Sequence, residues 1–197
     1  MSAVKCWSCG VDRAQGDALC PACGKVQPPP PAQAQLDKFA LLGVAPGFDA
    51  PEGLDDKFRA LSRKLHPDRF ARASSQERRF SLEQTTLLND AYQTLKDPVR
   101  RAEHFLALRG VSGEVKMSPD FLEETLDDRE KLLEAKESGQ PLEALAQGVR
   151  QKRDRTLSEV RELVSSGAEL SRAAELLARM KYYARYLDEV EGRAAEI

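Results

Sequence analysis

The 197-residue chain is 41% hydrophobic and 31% charged, with 30 basic and 32 acidic side chains and a formal net charge of −2. That is enough apolar material for one or two buried cores. So even a balance of charge gives no sign of a global nucleic-acid binder, and no apolar run approaches the roughly 18 residues of a membrane span.

The opening stretch, MSAVKCWSCG, has neither the apolar core of a secretory signal nor the Arg/Ser-rich character of an organelle presequence. The expectation is a cytoplasmic protein of bacterial type. A processed form in the mitochondrial matrix is the alternative. All four cysteines, Cys6, Cys9, Cys20 and Cys23, fall in the first 23 residues, in the pattern C-x2-C-x10-C-x2-C. Each pair is followed by a glycine, Gly10 or Gly24, which accepts a tight backbone turn. Two CxxCG turns supply a tetrahedral sulfur set, which suits zinc. Iron is also compatible with four thiolates. Disulfides compete with this reading, but thiols of a reducing cytosol stay free. A redox-active CxxC would sit in a βαβ context that is missing here. A segment this small buries no core of its own, so a structural metal would fold it. Trp7 and Val11 are expected lids over the site. The module is assigned to residues 1–27. Residues 28–35 form a linker, because Pro28 to Pro31 favour an extended polyproline spacer.

From Leu36 the pattern turns helical. LDKFALLGV is a short first helix with Gly43 as its stop. Leu54, Phe58, Leu61 and Leu65 fall at i, i+4, i+7 and i+11, one stripe of a second helix. Lys57, Arg59, Arg63 and Lys64 lie off the stripe and make its outer face basic. This helix ends at His66, because Pro67 disfavours helical conformation in the residue before it. A third helix follows in SSQERRFSLEQTTLLNDAYQTLKD, with Phe80, Leu87, Leu88, Ala91, Tyr92 and Leu95 placed to face the first stripe. Asp97-Pro98 reads as N-cap and first residue of a fourth helix, Val99 to about Leu108. His66, Pro67 and Asp68 thus mark the corner between two antiparallel helices. Taken singly, they are a helix stop and a turn aspartate, and the basic face is a solvated surface. Their placement between these helices makes the corner specific. No catalytic constellation accompanies it, so the chain is expected to be no enzyme. His104 is expected at the surface or a junction rather than as a metal ligand.

After RGVSGEVKM a second helical unit begins. Ser118-Pro119 starts a helix to about Lys136, carrying Phe121, Leu122, Leu126 and Leu133. SGQP, at 138–141, separates it from a helix over about Leu142–Ser165. The last helix runs from about Leu170 to Gly192. Three helices with short connections read as an antiparallel bundle. Leu122 and Leu126 fit either the bundle core or its surface by pattern alone. Tyr182 and Tyr186 are i,i+4 neighbours and are expected to form an exposed aromatic edge. The fold class is therefore all-α: a helical hairpin at 36–110, a linker at 111–117, a three-helix bundle at 118–192 and a tail at 193–197, preceded by the four-cysteine module.

Several of these stretches carry a resemblance. LDKFALLGV, KFRALSRKLHPDRF, LNDAYQTLKDP and RRAEHFL resemble the J domain of DnaJ-type co-chaperones. FLEETLDDREKLLEA and MKYYARYLDEVEG resemble the C-terminal domain of HscB, the J-type co-chaperone of iron-sulfur cluster assembly. CWSCG and LCPACG resemble the module that precedes the J domain in animal mitochondrial members. The resemblance implies that His66, Pro67 and Asp68 trigger ATP hydrolysis by an HscA/DnaK-type chaperone. It implies, by face rather than by motif, that Lys57, Arg59, Arg63, Lys64 and Arg69 dock on that chaperone's acidic surface. It implies that the bundle holds an IscU-type scaffold protein through Leu122, Leu126 and Tyr186, flanked by Asp127 and Glu130. No nucleic acid or membrane partner is implied. The competing expectations are a general J-type co-chaperone with another client, and a metal- or redox-handling protein that uses its cysteines.

Overall fold

The computed structural model describes residues 3–14, 16–30, 36–111 and 115–193. The chain forms two compact units, Met1–His104 and Phe105–Ile197.

In the first unit a small antiparallel hairpin, β1 (Ala3–Lys5) and β2 (Asp12–Ala14), pairs Ala3 with Ala14 and Lys5 with Asp12. The helices follow the sequence pattern closely. α1 spans Lys38–Leu42, α2 Leu54–Leu65, α3 Ser75–Lys96 and α4 Pro98–Leu108, with a 3-10 turn at Pro67–Phe70. Each boundary has a local cause. Asp37 accepts the N–H groups of Phe39 and Ala40 at the start of α1, and Gly43 ends the helix in the left-handed region at φ 63°. Lys57 Nζ donates to the Gly43 carbonyl, closing that end further. Ser74 Oγ accepts the Glu77 N–H at 3.2 Å and donates to the Glu77 carboxylate at 3.3 Å, tying off the first turn of α3. Asp97 Oδ1 accepts the Arg100 N–H at 2.8 Å and caps α4 as expected.

α2 and α3 run antiparallel. The Ser81 end of α3 meets Leu65 at the end of α2, while Tyr92 stacks on Phe58 at 4.0 Å and donates to Asp55 at 2.9 Å near its start. Phe39, Leu42, Leu65, Leu88 and Leu95 are at most 2% exposed. Each such side chain contributes about 1.5–3 kcal/mol by leaving water. Two residues of the RRAEHFL stretch close this core. Arg101 is buried and donates to the carbonyls of Phe48 and Leu95 at 2.7 and 2.6 Å. Burial pushes its pKa down, against the pull of Asp97 and Asp49. His104 Nε2 accepts the Lys38 N–H at 3.0 Å, and its ring stacks on Phe39.

The second unit contains α5 (Pro119–Glu137), α6 (Glu143–Ser166) and α7 (Leu170–Val190). Ser118 caps α5 by accepting the Phe121 N–H. Phe121, Leu132 and Ala135 of α5, Val149, Val160 and Val164 of α6, and Leu176, Leu177 and Tyr183 of α7 are buried. Lys152 of α6 pairs with Asp128 and Glu124 of α5 at 2.7 and 2.8 Å. These partners hold the Lys152 pKa up against burial. No helix among the described residues is long and apolar enough to cross a membrane.

Two sequence expectations need correction. Tyr182 and Tyr186 form no exposed edge: Tyr186 is only 5% exposed. The Tyr182 and Tyr186 hydroxyls donate to the carbonyls of Thr125 and Asp128 at 3.0 and 3.3 Å, which draws both rings under α5. Of the apolar residues the sequence shows on α5, Phe121 is buried and Leu133 is half exposed, and Leu132 takes the interior position beside it. Trp7 is no lid. It donates Nε1–H to the Val26 carbonyl at 2.7 Å and meets Phe80 of α3 edge-on at 6.0 Å, while Val11 stands in solvent.

Candidate functional site

The four cysteines are brought together as their spacing demands. Their sulfurs lie within 4.8 Å of one another. Gly10 and Gly24 adopt φ 74° and 70°. Their N–H groups donate to the carbonyls of Cys6 and Cys20 at 3.0 and 2.9 Å, which closes each CxxCG turn. The Cys6–Cys23 and Cys9–Cys20 sulfurs are 3.7 Å apart. A disulfide would require about 2.05 Å. A tetrahedron with sulfurs at about 2.3 Å from a central ion has edges of about 3.8 Å. The donor set therefore fits a tetrahedral thiophilic ion. Burial opposes a thiolate at Cys6, but the N–H groups of Cys9 and Ser8 and the neighbouring thiols bring its pKa down to about 6. At Cys9 the Val11 N–H favours the thiolate. Burial and the three other sulfurs outweigh it and push the pKa up to about 12. The cluster thus favours the thiolate at Cys6 and disfavours it at Cys9.

The second constellation is the corner after α2. His66 takes an extended conformation, φ −56° and ψ 129°, as a residue before proline must. Pro67 then opens the 3-10 turn. Within it the Asp68 N–H donates to His66 Nδ1 at 3.3 Å. The Asp68 side chain is 90% exposed, and its carboxylate lies 3.4 Å from the same imidazole nitrogen. Pro67 thus aims a carboxylate at solvent from a fixed turn. Lys57, Arg59, Arg63, Lys64 and Arg69 are all exposed. Lys57 is also committed to Gly43, and Arg69 leans back on the Arg63 carbonyl at 3.4 Å. The support of the corner escaped sequence reasoning. Ser81 and Thr85 of α3 donate their hydroxyls to the Leu65 carbonyl at 2.6 and 3.2 Å, filling an acceptor at the helix end. Their i,i+4 spacing was the available signal.

The third constellation lies on the bundle. Leu122 and Leu126 are 50% and 68% exposed, which places them on the surface rather than in the core. Asp127 and Glu130 flank them in solvent. Between α5 and α7 runs a groove of about 360 Å³, which Leu122, Tyr182 and Tyr186 line together with Arg129, Lys181 and Arg185. Tyr186 therefore meets this surface as part of a groove floor. Burial and Asp128 raise the pKa of both tyrosines, so their hydroxyls stay protonated donors.

Comparison with known proteins agrees with this layout. A DnaJ domain model matches residues 37–104, and a model of the HSCB C-terminal oligomerisation domain matches 117–191. The co-chaperone protein HscB homolog of Shewanella pealeana is 37% identical over 165 residues, covering 79% of this chain and 95% of the relative. The iron-sulfur cluster co-chaperone protein HscB of Mus musculus is 30% identical over 197 residues, covering 96% of this chain and 82% of the relative. The crystal structure of human co-chaperone protein HscB superposes with a TM-score of 0.84 at 28% identity, covering 98% of this chain and 100% of that one. Chaperone HscB from Vibrio cholerae gives a TM-score of 0.71 at 34% identity, covering 80% and 96%. With both domain models matched and relatives aligned over most of its length, the chain belongs to the HscB family of J-domain co-chaperones.

Proposed function

We propose that this chain is an adaptor that holds an IscU-type iron-sulfur scaffold on its bundle and stimulates the ATPase of an HscA/DnaK-type chaperone through its J domain. The observation that carries this is the exposed Asp68 carboxylate, aimed by Pro67 and flanked by an exposed basic helix. Such a carboxylate suits a charge-assisted, bidentate contact with a partner arginine. His66 shapes the turn. Lys57, Arg59, Arg63, Lys64 and Arg69 speed encounter with an acidic surface and make it salt-sensitive. On the bundle, Leu122 and Leu126 supply apolar contact, Tyr186 backs the groove, and Asp127 and Glu130 set the polar rim. Carrying both contacts on one chain raises the effective concentration of the scaffold at the chaperone. The four cysteines hold a structural zinc ion, which folds their module. The chemistry of ATP hydrolysis belongs to the partner.

The test is the steady-state ATPase rate of a purified HscA-type chaperone with this protein, with and without an IscU-type scaffold. Synergistic stimulation that disappears in Asp68→Ala, while scaffold binding survives, is the expected result. Stimulation indifferent to the scaffold would point to a general J protein with another client. Absence of stimulation with any DnaK-type chaperone would remove the adaptor reading.

A further inference from the structure

The adaptor role leaves the cysteine module with no task beyond its own folding, yet the module is built into the J domain. Gln27 is fully buried, and its Nε2 donates to Cys6 Sγ at 3.3 Å and to the Lys25 carbonyl at 2.8 Å. Among the described residues its Oε1 has no hydrogen-bond partner, so the amide is turned to present N–H to the sulfur. The Gln27 backbone carbonyl accepts Gln84 Nε2 at 3.0 Å, and Gln84 is itself buried. Gln84 lies one helical turn after Ser81 on α3 and next to Thr85 in sequence. Those two hydroxyls hold the Leu65 carbonyl, and Leu65 is bonded directly to His66. A continuous path therefore leads from a cysteine sulfur to the His66-Pro67-Asp68 corner. It is braced by the Trp7–Phe80 contact and by the Lys25–Glu77 ion pair at 2.9 Å.

We infer that Gln27 and Gln84 are positioning residues that couple metal binding at the four cysteines to the setting of the His66-Pro67-Asp68 corner. A bound ion locks the two CxxCG turns to each other, which fixes the Gln27 carbonyl against α3. Without the ion the turns share no ligand, and Gln84 loses its anchor beside Thr85 and one turn from Ser81, the two residues whose hydroxyls hold Leu65. Coupling of this kind is reciprocal: what the metal does to α3, α3 does to metal affinity. The inference rests on the metal reading above and not on the identity of chaperone or scaffold.

The test uses the full chain labelled with ¹⁵N and ¹³C, compared zinc-loaded and chelator-stripped, alongside Gln84→Met. Methionine keeps the length of the side chain and removes its donor. Stripping is expected to move the Leu65 carbonyl and the Asp68 and Arg69 amide resonances by more than a line width. Gln84→Met at saturating zinc should move the same resonances in the same direction. Its zinc affinity, read by competition with a chromogenic chelator, should fall on the order of 5-fold or more, the low end of ordinary coupling. A corner that stays in place on stripping would overturn the coupling. Unchanged zinc affinity in Gln84→Met would overturn the assignment of Gln84. Neither readout involves a chaperone, so failure here and failure of the adaptor reading are separate results.

Discussion

His104 works as an acceptor, and an acceptor nitrogen must be unprotonated. It takes the Lys38 N–H at Nε2, and burial followed by the Lys38 charge lowers its pKa, against the pull of Asp37 and Asp90. The folded state therefore prefers the neutral ring. Its stability contribution is fully present above the unfolded value of about 6.5 and is lost as pH falls through the lower folded value. Urea midpoints of wild type and His104→Gln should differ at pH 7.5 and converge toward pH 5. A gap that stays constant over that interval would rule out the acceptor role. Glu77 does not confuse the window. Lys25 holds its pKa below the usual carboxylate range, so its contribution is present above about 4.3 and is lost only as pH falls through that lower value. Ser81 offers a second test at this scale. Ser81→Ala removes the 2.6 Å bond to the Leu65 carbonyl, and thermal unfolding should show a loss of about 1 kcal/mol, with Thr85 still in place. The sequence placed the corner but not these supports. A histidine in a helix and a serine in a helix look like surface residues until their partners are known.

α5 shows how one helix can carry two apolar stripes with different duties. Phe121, Leu132 and Ala135 face inward, with Asp128 between them paired to Lys152. Leu122, Leu126 and Leu133 face out. Stability and binding should therefore separate. Leu132→Ala is expected to cost about 2–5 kcal/mol in urea unfolding, as for a buried leucine. Leu126→Ala should stay within about 0.5 kcal/mol of wild type. In calorimetric titration with an IscU-type scaffold the order reverses, with Leu122→Ala and Leu126→Ala weakening binding and neither changing the melting curve. Equal scaffold affinity in the Leu122/Leu126 double variant would move the binding face elsewhere. The helix spans were legible from periodicity, proline and capping residues. The choice between the stripes was not, because leucines at i, i+4 and i+11 satisfy helical spacing on either face.

For the whole molecule, the module and the helices have different sources of stability. The helices of both units bury apolar side chains, whereas the described residues up to Gln27 are organised around four sulfurs. Chelation should therefore expose all four thiols to a colorimetric reagent while most of the far-UV helical signal persists, and zinc should restore protection. Rapid modification of four thiols in the loaded protein would count against a bound structural ion. The sequence alone determined what depends on near neighbours. The C-x2-C pairs bring four sulfurs within reach of one ion, Pro67 dictates the corner, and the spacing of apolar residues puts α1 to α7 nearly where they are observed. The tertiary structure decided what depends on distant partners. Gln27 meets Gln84 across 57 positions, and Tyr186 meets Asp128 across 58. No local pattern encodes such a pairing, because hydrogen bonds and burial are set by whichever surface the folded chain brings opposite.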